Sequence, residues 1–199
     1  MGRSSEPFGG RFRLIYKELA LDPGIRVRLL ETLGEREIRG LCDVLIDCVE
    51  GGASVSFMLP MTRAKAEAFW SKTAAAQARG ERIVVVAEDE TGDIVGTVMV
   101  LLDQPENQPH RGDVAKMLVH RRARRRGVGE ALLIAAERSA ADLGKTLLVL
   151  DTVTGSDAER LYRRLGWQRC GEIPGYALWP DGRPCPTTVF FKQLSRTRA

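Results

Sequence analysis

The residues with the clearest chemical meaning lie at 114–129, VAKMLVHRRARRRGVG, where an apolar run precedes an arginine cluster and two glycines. A helix-forming run, 130–143, follows at once. Glycine lets the backbone approach a ligand closely, and the free N–H groups at a helix start attract anions. The spacing Arg124-x-x-Gly127-x-Gly129 therefore predicts a cradle whose main-chain N–H groups converge on a diphosphate.

The arginine cluster has more than one interpretation. Beyond Arg124, the neighbouring Arg121, Arg122, Arg125 and Arg126 either bind a further phosphate or form a solvated basic face. A basic nucleic-acid-binding module is a less favoured alternative, because the net charge is only +4, glycines follow the cluster closely and the sequence lacks a recognition-helix pattern. We therefore expect no nucleic-acid partner.

A second informative segment is 157–167, DAERLYRRLGW. It predicts a short helix that turns Ala158, Leu161 and Leu165 toward a core and ends at a glycine before the next strand. Tyr162 follows Leu161 and need not share its side of the helix. Its side chain is either a packing tyrosine or a hydroxyl available for chemistry.

These segments are positioned by a regular alternation of strands and helices. Strands are predicted at 25–30, 83–88, 94–102, 113–119, 146–150, 167–173 and 188–194. Helices are predicted at 33–49, 63–79, 130–143 and 157–165, and a Pro/Gly-rich loop at 174–186. The order predicts an α/β fold with a mixed, mostly antiparallel twisted sheet of about seven strands flanked by about four helices.

Composition and end segments limit the function further. Residues 1–24 are expected to be an N-terminal extension, and 25–199 the folded domain. No apolar run is long enough to span a bilayer and the N-terminus lacks an apolar signal core, so we expect a cytoplasmic protein without a membrane partner. Four cysteines without CxxC spacing predict free thiols and no metal site.

Together, the cradle and the A-x-x-L-Y-x-x-L-G-W pattern at 158–167 resemble the GNAT superfamily of N-acetyltransferases. The resemblance covers about 25–194 in element order. Further segments resemble the tabtoxin-resistance acetyltransferases, bacterial enzymes that acetylate an amino group of a small toxin. These segments are GGASV at 51–55, Phe57-Met58, LDT at 150–152, Gly155-Ser156, GEIPGY at 171–176 and PDGR at 180–183.

The resemblance implies that acetyl-CoA (coenzyme A) is the cofactor and that the sheet splays apart at the cofactor site. The main chain of Met117, Leu118 and Val119 is then expected to pair with the pantetheine arm. Pyrophosphate contacts are expected from Arg124, Arg125, Arg126, Gly127, Val128 and Gly129. Many relatives carry an asparagine where this chain has Gly155, and Ser156 is the candidate replacement.

The resemblance also implies catalytic residues. Tyr162 matches a tyrosine near the thioester sulfur, and Asp113 and Asp151 match acidic residues suited to managing the proton of an amine. An amine attacks only when neutral, and a free alkyl amine has a pKa near ~10. A carboxylate is a much weaker base, so we expect it to bind the ammonium and pass the proton to water. For each aspartate, a capping role in a turn is the alternative.

The predicted function is transfer of an acetyl group to the primary amine of a small molecule, such as an amino-acid-like toxin or antibiotic. Acetylation of a protein N-terminus or lysine is the nearest alternative. A protein that binds acetyl-CoA without turnover is another. Pairing of exposed terminal strands in a homodimer also stays open.

Overall fold

A computed structural model describes residues 24–195 of the protein, which form one seven-stranded sheet with four α-helices. The strands are β1 (Arg26–Leu29), β2 (Arg82–Glu88), β3 (Ile94–Leu101), β4 (Arg111–Val119), β5 (Leu147–Val153), β6 (Gln168–Leu178) and β7 (Pro184–Gln193). The helices are α1 (Glu35–Glu50), α2 (Arg63–Ala78), α3 (Val128–Asp142) and α4 (Asp157–Arg164). A 3₁₀ turn, Arg121–Ala123, lies between β4 and α3.

The sheet is mixed and mostly antiparallel, as the sequence predicted. Its strand order is β1-β2-β3-β4-β5-β7-β6, and within the described residues only β4 and β5 pair in parallel. The α3 crossover joins these two strands, since a parallel connection must cross a face of the sheet. The predicted fold class is confirmed.

Local capping explains where two of the helices begin. The Thr62 side chain accepts a hydrogen bond from the Lys65 N–H at the start of α2 (3.3 Å). The Ser156 hydroxyl accepts one from the Glu159 N–H at the start of α4 (3.1 Å). Each cap satisfies an N–H group that the helix itself leaves without a partner.

A hydrophobic core lies on each face of the sheet. On one face, Leu132 and Leu133 of α3 pack with Phe190 of β7 and with residues of the central strands. On the other face, Leu45 of α1 and Trp70 of α2 cover the central strands. Burial on both faces makes the sheet a rigid base for the loops at its ends.

The sheet opens between its two parallel strands. β4 pairs with β5 only over Arg111–Asp113 and Leu147–Val149, and the last matched residues are Asp113 and Val149. Beyond this point β5 stays paired with β7, and β4 stays paired with β3. The remaining halves of β4 and β5 thus border a gap, which confirms the predicted splay.

The predicted loop at 174–186 is wrong in extent. β6 continues to Leu178 and β7 begins at Pro184, so these strands form a long hairpin around residues 179–183. β6 is an edge strand of the sheet. A proline such as Pro174 is tolerated there, because a residue of an edge strand can do without an N–H group for a second neighbouring strand. The three residues at 184–186 precede the part of β7 that pairs with β5.

The predicted extension at 1–24 lies outside the described residues except for Gly24. Within residues 24–195, no helix has the length and apolar character needed to cross a bilayer. The same residues contain no cluster of three or more His, Cys, Asp or Glu side chains that could hold a metal ion. All four cysteines are free thiols.

Candidate active site

The glycine-spaced turn forms the start of α3, at the end of β4. Arg125 and Gly127 both have left-handed backbone conformations, with φ of 63° and 77°, and Gly127 is the N-cap residue. The first intrahelical hydrogen bond in α3 runs from the Ala131 N–H to the Gly127 carbonyl. The N–H groups of the first helical turn therefore point outward without intrahelical acceptors, which makes the turn an anion-binding surface.

Gly129 lies in a tightly packed position. A Cβ atom at this position would lie 3.2 Å from Leu161 and 3.3 Å from Met117. The first turn of α3 therefore lies directly against β4 and α4. The sequence predicted a glycine here for the approach of a ligand, and the structure adds a packing reason.

Two of the arginines hold the turn against the rest of the fold. Arg121 binds Asp47 of α1 through its main-chain N–H and its Nε, both at 2.8 Å. Arg122 forms an ion pair with Asp89 at 3.1 Å. These contacts are structural, and they favour neither of the two roles that the sequence left open for this pair.

Arg124 turns back along β4, where its Nε donates to the Val119 carbonyl at 3.2 Å. The thiol of Cys48 donates to the same oxygen at 3.5 Å. The Val119 carbonyl is therefore occupied by bonds within the protein. Arg125 and Arg126 lie in the same turn and directly precede the N-cap residue, Gly127.

Met117, Leu118 and Val119 form the last part of β4, along the gap. Leu118 is buried on the α1–α2 face, whereas Met117 and Val119 pack toward α3. The register with β3 shifts within this region, from Thr97 opposite Leu118 to Met99 opposite Ala115. One extra residue in β4 makes a bulge beside the gap between β4 and β5.

Tyr162 is buried, with 4% of its surface exposed, and its ring packs against Trp167 and Phe190. The sequence predicted that Ala158, Leu161 and Leu165 would face the core; Ala158 and Leu165 do pack against it, and Tyr162 lies in it as well. Burial raises the pKa of Tyr162, and the nearby negative charge of Asp151 raises it further. The side chain is therefore a neutral hydrogen-bond donor.

The two candidate aspartates have different environments. Asp151 is exposed near the end of β5, opposite Val189 of β7, and its charge acts on Tyr162. Asp113 is half-buried, forms an ion pair with Arg111 and accepts a hydrogen bond from Gln104 at 3.1 Å. The structure thus brings Asp151, but not Asp113, into electrostatic contact with Tyr162.

Lys116 was not singled out by the sequence and lies at the β4 bulge. Its Nζ donates to the Ser56 hydroxyl at 3.0 Å and lies over the rings of Phe57 and Phe69. Removal of the ammonium from water lowers the pKa of Lys116, and the charge of Asp151 opposes that shift. A lysine in an otherwise apolar run only weakly indicates a site residue in the sequence. The direction of its side chain depends on the bulge, and the bulge depends on the partner strand.

Ser156 has a structural function in addition to any contact with the cofactor. Its hydroxyl oxygen caps α4, as described above, while its own hydrogen remains available for donation. The preceding Gly155 has a left-handed conformation (φ 78°) with open space where a side chain would begin. At the place of the asparagine expected from the family resemblance, this chain has a turn at Gly155 followed by the helix cap Ser156.

Comparison with known proteins now adds to this geometry. Residues 55–167 match the family model described as acetyltransferase (GNAT) family. The chain belongs to this family. It is an N-acetyltransferase, and its acetyl donor is acetyl-CoA.

Solved GNAT structures share the fold of this enzyme at low sequence identity. A ribosomal-protein-alanine N-acetyltransferase from Brucella melitensis is 23% identical, with a TM-score of 0.71 over 85% of this chain and 99% of its own. A phosphinothricin acetyltransferase from Sinorhizobium meliloti in complex with acetyl-CoA is 19% identical, with a TM-score of 0.71 over 85% and 89%. A putative acetyltransferase from Salmonella typhimurium with acetyl-CoA is 19% identical, with a TM-score of 0.71 over 88% and 97%.

The residues of this GNAT enzyme fit its cofactor. The outward N–H groups at the start of α3 suit the diphosphate, and the gap beside β4 suits an extended chain. The hydroxyl of the buried Tyr162, on which the charge of Asp151 acts, supplies a hydrogen-bond donor. All three features lie along the path from β4 to α4.

Proposed function

We propose that the enzyme acetylates the primary amine of a small, amino-acid-like molecule at the gap between β4 and β5. The observation that carries the proposal is the position of Asp151, an exposed carboxylate whose charge acts on the buried Tyr162. A carboxylate near the Tyr162 hydroxyl attracts the ammonium group of the acceptor. It therefore places the acceptor amine where the acetyl group is transferred.

Cofactor binding is assigned to the two elements beside the gap. The main chain of Met117, Leu118 and Val119 would pair with the pantetheine arm. Pyrophosphate would bind at the start of α3, with Ser156 as a further donor; the residues concerned are Arg124, Arg125, Arg126, Gly127, Val128 and Gly129. When bound, acetyl-CoA supplies an acetyl group activated as a thioester.

The catalytic roles follow from charge and burial. Asp151 binds the acceptor ammonium and passes its proton to water, after which the neutral amine can attack. Tyr162 keeps its proton because its pKa is raised, so it donates a hydrogen bond to the sulfur as negative charge develops there. Asp113 is assigned a weaker role, a small contribution to the electrostatic potential of the site, because Arg111 already neutralises its charge.

One resemblance of the sequence and one solved structure support a small acceptor. The tabtoxin-resistance acetyltransferases, which this sequence resembles, act on a small toxin, and one structure with this fold is named a phosphinothricin acetyltransferase. The Brucella melitensis structure, by contrast, is named for a ribosomal protein. A peptide acceptor is therefore the alternative that an experiment must separate.

The test measures free thiol released from acetyl-CoA with matched concentrations of amino acids, polyamines, aminoglycosides and peptides with free N-termini. We expect the highest kcat/KM with an amino acid or a close analogue, and an acetylated amine by mass spectrometry. Turnover confined to peptides would overturn the small-molecule assignment. Tight binding of acetyl-CoA without thiol release in any mixture would instead indicate a non-catalytic cofactor sensor.

A further inference from the structure

Lys116 has an unusual backbone conformation for its position. It lies in the β4 bulge with φ of 51°, in the left-handed region that lysine rarely adopts. A strained residue beside a functional site is reason to ask what its side chain does. Here the bulge directs the side chain out of the normal strand alternation and toward the α1–α2 side of the gap.

The Lys116 ammonium is only partly satisfied. It donates one hydrogen bond, to Ser56, and lies 5.8 Å from the centre of the Phe57 ring and 5.6 Å from that of Phe69. Within residues 24–195 no carboxylate forms an ion pair with it, although the charge of Asp151 reaches it. An ammonium has three donors, so two remain for a ligand.

The loop between α1 and α2, which carries Ser56 and Phe57, is held in place by hydrogen bonds. The Ser54 hydroxyl donates to the Leu178 carbonyl at 2.7 Å, and the Leu59 N–H donates to the Pro180 carbonyl at 3.0 Å. These bonds tie both sides of the loop to the β6–β7 hairpin. Because Lys116 is held between this loop and α2, its ammonium stays near one position.

We propose that Lys116 binds the carboxylate of the acceptor while Asp151 receives its ammonium, so that the site selects zwitterionic amino acids. This inference rests on the proposed function and deepens it. Opposite charges on β4 and β5, on the two sides of one gap, match a molecule that carries both signs. A polyamine or an aminoglycoside would instead bring positive charge against Lys116.

The experiment compares two substrates that differ only in one charge. The amino acid that gives the fastest thiol release is paired with its carboxamide, which keeps the amine and replaces the carboxylate by a neutral group. The ratio of kcat/KM for the acid to kcat/KM for the amide is measured in the wild-type enzyme, in Lys116→Met and in Lys116→Arg. Lys145→Met is the matched control, because that lysine is also partly desolvated but bonds only the carbonyls of Leu102 and Pro109.

We expect an acid-to-amide ratio of about tenfold or more in the wild-type enzyme, the range of one charge-assisted hydrogen bond. The ratio falls to near one in Lys116→Met through loss of activity on the acid, while activity on the amide is retained. Lys116→Arg and Lys145→Met keep a ratio well above one. A purely structural role for Lys116 would lower both activities together and leave the ratio unchanged, and that result would overturn the inference.

Two further outcomes separate this inference from the proposed function. If the wild-type enzyme acetylates small amines with no preference for the acid, the proposed function stands and the carboxylate site is overturned. If no small amine is acetylated, both are overturned. Where Lys116→Met does not fold, as judged by thermal unfolding, Lys116→Gln replaces it in the same ratio measurement.

Discussion

Asp47 in α1 accepts two hydrogen bonds from Arg121, one from the main-chain N–H and one from Nε, each 2.8 Å long. Burial alone would raise the pKa of Asp47, but these bonds outweigh it and hold the pKa below its usual range. His120 lies 3.6 Å from the same carboxylate. The 3₁₀ turn at the end of β4 is thus anchored on α1, which also provides the Cys48 thiol that donates to the Val119 carbonyl.

Replacement of Asp47 by alanine is expected to weaken cofactor binding without touching the cofactor. Loss of both hydrogen bonds leaves the 3₁₀ turn less firmly held. We expect the Kd for coenzyme A to rise about three- to tenfold, because part of the free energy of one or two hydrogen bonds to a charged group is then lost from the binding of coenzyme A and the rest from folding. Isothermal titration calorimetry measures the effect. Asp43→Ala is the control, because Asp43 lies on the same helix and pairs with Arg63. Equal Kd values for the two variants would contradict the anchoring function.

The two ends of α3 provide a matched test of the cradle. Gly127 before the helix and Gly144 after it have φ of 77° and 81°. Alanine at either position is expected to cost about 1 kcal/mol of unfolding free energy, because both need the left-handed region. Only Gly127→Ala is expected to raise the Kd for coenzyme A, by about tenfold or more, since only that turn presents N–H groups to a diphosphate.

Denaturant unfolding measures the unfolding free energy of both variants, and calorimetry measures their Kd for coenzyme A. If Gly144→Ala weakened the binding of coenzyme A as much as Gly127→Ala, the turn at residues 124–129 would lose its assignment as the pyrophosphate site. Similar stability losses with different Kd values are the expected pattern.

Much of this architecture was predictable from sequence because its signals are local. The glycine-spaced turn and α3 are adjacent in the chain, and the alternation of strands and helices gave the sheet class. The β6–β7 hairpin was missed because Pro174 and Pro184 normally indicate a loop. In this fold the first proline lies on an edge strand, and the second lies beyond the part of β7 that β5 covers.

The bulge at Lys116 could not be read from the chain for a different reason. A bulge is a mismatch between two strands, so it depends on how β3 and β4 are registered rather than on either sequence alone. The different environments of Asp113 and Asp151 are likewise a tertiary property. Only the folded chain pairs the first with Arg111 and brings the second near Tyr162.

Tyr162→Phe removes a donor hydroxyl while keeping the buried ring. We expect kcat to fall by about 10- to 100-fold, the value of one hydrogen bond to a charged group, with little change in the Kd for coenzyme A. Because the pKa of Tyr162 is raised, its ionisation should not limit kcat on the alkaline side up to at least the usual range for tyrosine. Tyr176→Phe, at an exposed residue of β6, is the control. Steady-state kinetics with an unchanged kcat for Tyr162→Phe would rule out its role as donor.

The two aspartates are separated by isosteric substitution. Asp151→Asn is expected to lower kcat/KM for the acceptor by about 100-fold, since it removes the charge that binds the ammonium. Asp113→Asn is expected to lower it by no more than about threefold, because Arg111 already balances that carboxylate. A larger loss in Asp113→Asn would reverse the assignment, and circular dichroism of both variants confirms that each remains folded.

Glu88 tests the source of stability at the far edge of the sheet. Its carboxylate is 2% exposed and accepts hydrogen bonds from Arg26 at 2.7 Å and from Arg28 at 2.7 and 3.0 Å. Burial alone would raise the pKa of Glu88, but these bonds lower it below the ordinary 4.5. A carboxyl group with a lowered folded-state pKa stabilises the fold fully above its unfolded-state pKa, and the effect disappears as the pH falls through the folded-state value.

Glu88→Gln is therefore expected to lower the unfolding free energy by about 2 kcal/mol at pH 7, because two arginines lose their charged acceptor. The difference from the wild-type enzyme should shrink below pH ~4, where the native carboxylate also becomes protonated. Urea unfolding at a series of pH values measures it, with Glu81→Gln as a control for an exposed ion pair, to Arg79. A stability difference that stayed constant from neutral to acidic pH would show that packing around Glu88, rather than its charge, stabilises this edge.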